Sequence, residues 1–495
     1  MMTAFAPSTS ASASSATADG PAPFMLEAID AERLTKGTWI GGRRAVIRGA
    51  TVDSRQVTPG CLFACLPGVN VDGHDFAASA VGSGAALVLA TRKVDVPVPV
   101  LVVNDVTVAL ARLATEFRRR FAPDCVWIGV AGANGKTTTK ELVAAACAAA
   151  APGRVHATRR NLNNQLGVPL TVLATPAGSR FAVIEIGANH PGEVSALAAI
   201  ARPQVGLVTS IGPEHLEGFG DLLGVARAEC ELLAALPAEA PALIGLDGAA
   251  AHARAVHLDP RVIADTARAA AKGRRLTIIG GDEPDAVAVG GSADPEGSTL
   301  TTPAGEVRLR LLGRHNLANA CIAFHAAVAA GVPAELALAG LAAVAPVPGR
   351  LTPRTCGPHL ILDDSYNANP ASMTAGLAVL AAAPGRRLAV LGYMGELGEG
   401  EIDAHRRVGA ETARLGLPLI AVGAGAFALG AGYRAANGTW LREAADATAA
   451  AALAAAWLAE GPTTVLVKAS RSARLEIVVQ ILLSQHGAAS PASSH

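Results

Sequence analysis

An apolar run that ends in glycine and opens directly into a polar helix start constrains this chain more than any other stretch. It reads Cys125-Val126-Trp127-Ile128-Gly129-Val130-Ala131-Gly132-Ala133-Asn134-Gly135-Lys136-Thr137-Thr138-Thr139-Lys140-Glu141. The pattern predicts a buried strand, a glycine turn and a helix. Glycines let backbone N–H groups curl around an anion, and a helix N-terminus adds its positive end. Lys136 is placed to reach β- and γ-phosphates, and the Thr137 hydroxyl to hold magnesium. The spacing Gly132-x-x-Gly135-Lys136-Thr137 is shorter than the common G-x-x-x-x-G-K-S/T loop. A bare Gly-Lys-Thr triplet arises by chance, but the flanking strand and helix start make Gly132, Ala133, Asn134, Gly135, Lys136, Thr137 and Thr138 a nucleotide site.

From residue 125 onward strands alternate with helices. Strands are expected at 127–131, 181–186, 205–211 and 242–246, a rhythm that implies a mostly parallel sheet covered by helices. The break Ala345-Pro346-Val347-Pro348-Gly349-Arg350 reads as a linker. A second α/β series follows, with strands at 360–363, 387–391, 419–422 and 464–468. Before residue 125 the texture is one of short strands and turns. The expected division is a tail over 1–24, an N-terminal domain over 25–122, a central domain over 123–345, a C-terminal domain over 346–484 and a second tail over 485–495.

Lys plus Arg and Asp plus Glu both number 41, so the net charge is zero, and no basic stripe appears. Nucleic acid is an unexpected partner for such a surface. The hydrophobic fraction is 51%, much of it alanine in short runs that suit helix interiors and cannot insert into a membrane. The seven cysteines form no C-x-x-C pair, which predicts reduced, buried thiols in a cytoplasmic protein.

Several polar clusters follow strand ends, where open α/β sheets bind ligands. Glu185 ends the run Phe181-Ala182-Val183-Ile184-Glu185 and could hold magnesium beside the phosphate loop. A strand-end acid is common by itself, yet the glycine after it and the polar turn at 189–193 favour a function. His215 sits in the loop after the next strand. A lone loop histidine is ordinarily just solvated, but with Glu185 it makes a second metal ligand plausible. Asn161-Leu162-Asn163-Asn164-Gln165 is rich in amides and could equally be a turn. Asn316 and Asn319 lie three apart at a helix start, suited either to a purine edge or to N-capping. Asp363-Asp364-Ser365-Tyr366-Asn367-Ala368-Asn369-Pro370 closes a further strand with unusual polarity.

Taken in order, residues 132–138, 161–167, Glu185, His215, 313–319, Gly349-Arg350 and 363–369 resemble the Mur ligase family, the ATP-dependent ligases of peptidoglycan precursor assembly. Residues 364–373, 185–193 and 215–220 are most similar to the members that add D-alanyl-D-alanine to UDP-N-acetylmuramoyl-tripeptide. The resemblance implies an α/β protein of three domains. These are a small UDP-binding N-terminal domain, a central P-loop-type mononucleotide-binding domain and a Rossmann-like C-terminal domain. It implies ATP and Mg2+, a monomer, and an acyl-phosphate intermediate. Lys136, Glu185, His215 and Glu229 are then expected to be catalytic, with Thr137, Glu185 and His215 holding metal. Asn316, Asn319, Arg350 and Asp364 are expected on ATP, and Ser54, Arg55, Asp72, His74, Asn163, Asn164, Tyr366 and Asn369 on the other substrates.

Two departures stand out. Glu229 occupies the position where many Mur ligases carry a carbamylated lysine, so a glutamate is expected to replace the carbamate or to lie idle on a helix surface. Tyr393 stands where the family usually shows aspartate. The ligase adding the third amino acid and folylpolyglutamate synthase share the loop and the histidine, but not the stretch 364–373. A nucleotide-binding regulator without ligase chemistry would be supported by Glu229 and Tyr393 alone.

Overall fold

The computed structural model describes residues 20–68, 71–121 and 124–486. The expected 122/123 boundary and most of both expected tails lie outside the described residues. The tail expected to run to residue 24 ends earlier, because Pro21 bridges Pro176 and Phe24 opens the strand Phe24–Glu27. At the other end, the helix Glu476–His486 runs two residues into the expected tail.

The central sheet has six strands, all parallel, in the order Arg275–Ile279, Pro241–Gly245, Val205–Val208, Val126–Ala131, Phe181–Glu185 and Val155–Ala157. Helices cover both faces, so its inner strands are apolar on both sides rather than alternating. The chain first builds outward from Val126–Ala131 to one side, then returns and builds to the other from Val205–Val208. The loops after these two strands diverge, and a crevice opens between them at the carboxyl edge. The expected strand 205–211 stops at Val208, after which Thr209 N–H makes a last parallel-ladder bond to the Ala131 carbonyl at 2.8 Å.

Alanine content now has a physical meaning. The helix Lys136–Ala150 lies so near the helix Ala334–Ala343 that a Cβ on Gly340 would come within 2.4 Å of the Ala145 carbonyl oxygen. Small side chains permit that approach, and bulk would push the helices off the sheet.

The C-terminal sheet also has six strands, in the order Thr352–Cys356, His359–Asp364, Thr463–Lys468, Arg386–Leu391, Leu419–Val422 and Leu441–Ala444. Only the first edge is antiparallel. Asp364 and Lys468 pair at its carboxyl edge, so the loops following them face the central domain. The N-terminal part holds a five-stranded sheet and the two-stranded pair of Phe24–Glu27 with Arg44–Ile47. A three-stranded antiparallel sheet over Gly290–Asp294, Gly297–Thr302 and Gly305–Leu309 escaped the sequence reading, because its outer faces are polar and only residues such as Leu300 and Leu309 are buried.

The N-terminal and central parts share one apolar core. Its seam is an aromatic chain: Phe24 meets Phe117 edge-on at 5.7 Å, Phe117 meets Phe121 at 5.4 Å, and Phe121 meets Trp127 edge-on at 5.9 Å. Arg118 lies 4.5 Å over the Trp127 ring and donates to the Ala201 carbonyl at 3.0 Å. Such ring pairs and the cation above them add to the area buried. Trp127→Ala is expected to destabilise the protein by about 3–5 kcal/mol. Denaturant unfolding should show both parts losing structure together, and independent melting of the N-terminal part would contradict the shared core.

Candidate active site

The phosphate loop is assembled by close backbone contact. Gly132 has φ +120°, and a Cβ there would sit 2.4 Å from Thr209 Oγ1. Ala133 N–H donates to the Ser210 carbonyl at 2.9 Å, and Asn134 N–H to Ser210 Oγ at 2.9 Å. The Thr209 hydroxyl donates to the Asn134 carbonyl at 2.6 Å. Gly135 has φ +81° and caps the helix Lys136–Ala150, where a Cβ would lie 2.3 Å from Asn319 Oδ1. The amides of 132–134 are thus committed to the protein. The first turn of the helix, whose N–H groups have no intrahelical partner, is left to face an anion.

Lys136 folds back over this loop. Its ammonium donates to the Gly132 carbonyl at 2.5 Å and pairs with Glu214 at 3.2 Å. Burial pulls its pKa down, but Glu214, Glu229 and Glu185 outweigh that and leave it raised. Burial pushes Glu214 well above the usual carboxylate range, Lys136 opposing and Glu229 reinforcing. Burial also raises Glu229, against Lys136 and the Gly132 amide. Two carboxyls therefore face one ammonium. Glu229 Oε1 is buried with no hydrogen-bond partner.

Glu185 is buried at the end of its strand. Its Oε1 accepts from the Thr137 hydroxyl at 3.3 Å and from the Asn163 amide at 2.9 Å, while the buried Oε2 has no partner. A carboxylate oxygen left bare beside a hydroxyl fits a magnesium ion, which keeps several waters and needs few protein ligands. His215 lines the same cleft as they do. Its Nδ1 lies 2.6 Å from Glu396, brought by the loop after Arg386–Leu391. Among the described residues no group of three or more His, Cys, Asp or Glu side chains is arranged to hold a metal. Of the expected trio, Thr137 and Glu185 are in direct contact.

These groups line one wall of a cleft of about 2300 Å³, which also contains Asn163, Asn164, Asn316, Asn319, Arg350, Asp364, Tyr366 and Asn369. Neither asparagine at 316 or 319 caps its helix, since Gly313 does. Asn316 donates to the Leu312 carbonyl at 2.9 Å and Asn319 to Asn316 Oδ1 at 3.0 Å, so each has one amide hydrogen engaged inside the protein. Asn164 Oδ1 accepts from Gly167 N–H at 2.9 Å, steadying its turn. Arg350 stacks 4.3 Å over Tyr366, and Asp364 pairs with the buried Lys468 at 2.8 Å. Asn369 caps the helix Pro370–Ala382 and donates to Asn134 Oδ1 at 2.8 Å, joining the C-terminal part to the phosphate loop.

The N-terminal candidates sit elsewhere. Ser54, Arg55, Asp72 and His74 do not line this cleft, to which that part contributes Thr107. Arg55 is exposed and forked onto Asp53 at 2.8 and 2.9 Å. His74 is buried, with Nδ1 2.5 Å from Asp72 and Nε2 accepting the Thr91 amide at 3.0 Å. Both ring nitrogens are engaged, so His74 ties Asp72 to the loop at Thr91. Tyr393 donates to Glu401 at 2.5 Å and stacks on His405. Its phenol is raised to about 12 by the hydrogen bond to Glu401 and by burial.

Sequence reasoning gave no role to Glu214, Glu396 or Lys468. Glu214 adjoins His215, and Lys468 ends an otherwise apolar strand, so the signals were present. Their partners are 78, 181 and 104 positions away in the chain, as the numbering of Lys136–Glu214, His215–Glu396 and Asp364–Lys468 shows.

Comparison with known proteins agrees with this arrangement. Family models match residues 46–118 (Mur ligase family, catalytic domain), 130–327 (Mur ligase middle domain) and 349–471 (Mur ligase, glutamate ligase domain). The UDP-N-acetylmuramoyl-tripeptide--D-alanyl-D-alanine ligase of Escherichia coli is 37% identical, over 89% of this chain and 95% of its own. A crystal structure of MurF from Acinetobacter baumannii superposes with a TM-score of 0.81 at 32% identity, covering 93% of this chain and 99% of that one. MurF from Thermotoga maritima, solved with ADP, gives 0.73 at 25% identity over 89% and 98%. With all three of its parts matched in order, the chain belongs to the Mur ligase family, in its MurF group.

Proposed function

We propose that the chain joins D-alanyl-D-alanine to UDP-N-acetylmuramoyl-tripeptide, using ATP and Mg2+, in the cytoplasm and as a monomer. The observation that carries this is a preassembled phosphate loop, with Lys136 and the Thr137–Glu185 pair beside it, facing the strand ends of a second α/β domain across one cleft. The ADP bound in the Thermotoga maritima relative supports a nucleotide in that loop. The seven buried free cysteines accord with a reducing compartment.

A carboxylate is a poor electrophile, so the tripeptide must be activated first. Its terminal carboxylate oxygen attacks the γ-phosphorus, the bond to the β-phosphate oxygen breaks, and ADP leaves. The dipeptide amine then attacks the acyl carbon, loses a proton, and expels inorganic phosphate as the amide forms. Lys136, exchanging Glu214 for phosphate oxygens, offsets the charge that gathers where phosphate meets carboxylate. Glu185 and Thr137 would hold magnesium, which would supply Lewis-acid stabilisation of the same oxygens. Arg350 and Asp364 approach the nucleotide from the C-terminal side, so closure of the cleft completes the site and excludes water.

Phosphate release should require the tripeptide precursor and the dipeptide together. Release with either alone, or none with both, would defeat the assignment. Lys136→Met is expected to lower kcat by about 100-fold or more. Gly135→Ala should weaken ADP binding by at least about tenfold, since a Cβ at positive φ meets Asn319. Calorimetric titration with ADP measures this, and unchanged affinity would remove the loop from the nucleotide site.

A further inference from the structure

The helix Leu222–Glu229 ends on a glutamate with no solvent exposure. This is an unfavourable place for an acid. Burial removes its hydration, and the C-terminal end of a helix carries partial negative charge. A compensating partner is required, and it comes from 97 positions away: Gly132 N–H donates to Glu229 Oε2 at 2.6 Å. Gly132 is the residue at which the central strand becomes the phosphate loop, and its carbonyl holds the Lys136 ammonium. Glu229 therefore grips, from behind, the peptide on which the loop and its lysine both hang. Glu229 is not among the residues lining the cleft.

We propose that Glu229 is a positioning residue for the phosphate loop, its side-chain oxygen clamping Gly132 N–H so that the loop and Lys136 are set for a nucleotide before one arrives. This rests on the reading that the loop takes ATP. It differs from a carbamate substitute that reaches magnesium, because the oxygen engaged here is bound to backbone. A clamp needs an acceptor at the right reach and does not need a charge. Glutamine keeps the reach, and its amide can donate to the neighbouring Glu214. Aspartate keeps the charge but is shorter by one methylene, so it withdraws from Gly132. The two readings thus rank the same variants in opposite order.

The test is calorimetric titration of the full chain with ADP, once with Mg2+ and once in EDTA, together with the Mg2+ dependence of turnover. Glu229→Gln is expected to stay within about threefold of the parent in ADP affinity and in half-saturating Mg2+. Glu229→Asp and Glu229→Ala should weaken ADP by about tenfold in EDTA as well as in Mg2+, the loss of one hydrogen bond at the loop. If Glu229→Ala does not fold, the glutamine and aspartate pair carries the comparison. A tenfold rise in half-saturating Mg2+ for Glu229→Gln, or an aspartate variant that binds ADP like the parent in EDTA, overturns the clamp. Failure of the parent chain to bind ADP at all would instead overturn the ATP reading.

Discussion

The contact between Gly132 and Thr209 is the constraint on which the rest of the site depends. Two neighbouring parallel strands end there, and the chain leaves them in opposite directions. The backbone between them is so close that a single methyl group at residue 132 would strike Thr209. Because that space is filled by backbone, the loop amides of 132–134 hold the protein together, and the helix start behind them is pre-aimed at the cleft. An anion then meets N–H groups that need no reorganisation.

Charge is handled with the same economy of placement. Lys136 would be strongly destabilised if buried alone, and Glu214 and Glu229 would be worse still beside one another. Together they form one cluster, with one carboxyl at the cleft and one behind the loop. Glu185 stands apart from it, fixed by Asn163 and Thr137 and left with one bare oxygen.

The C-terminal part meets this site through polar bonds. His215 with Glu396 and Asn134 with Asn369 span the cleft, and both are exchangeable for water or ligand. The seam between the N-terminal and central parts is built differently, from buried rings and the guanidinium of Arg118. An apolar seam resists opening, and a polar one permits it.

Local chemistry determined a large part of this. The alternation of apolar runs with helix starts sets two parallel sheets, because strands buried on both faces must be continuous in hydrophobicity. Gly132, Gly135, Lys136, Thr137 and Glu185 were legible as one cluster, since their placement depends on strand ends and helix starts a few residues away. Asn316 and Asn319 were legible in place, but not the bonds of their amides to Leu312 and to each other. What only tertiary structure decided is who neutralises whom. The partnerships of Glu229 with Gly132, His215 with Glu396 and Lys468 with Asp364 leave no periodic trace. Burial energy and Coulomb attraction act through space, and chain order does not record which distant groups the fold will bring within 3 Å.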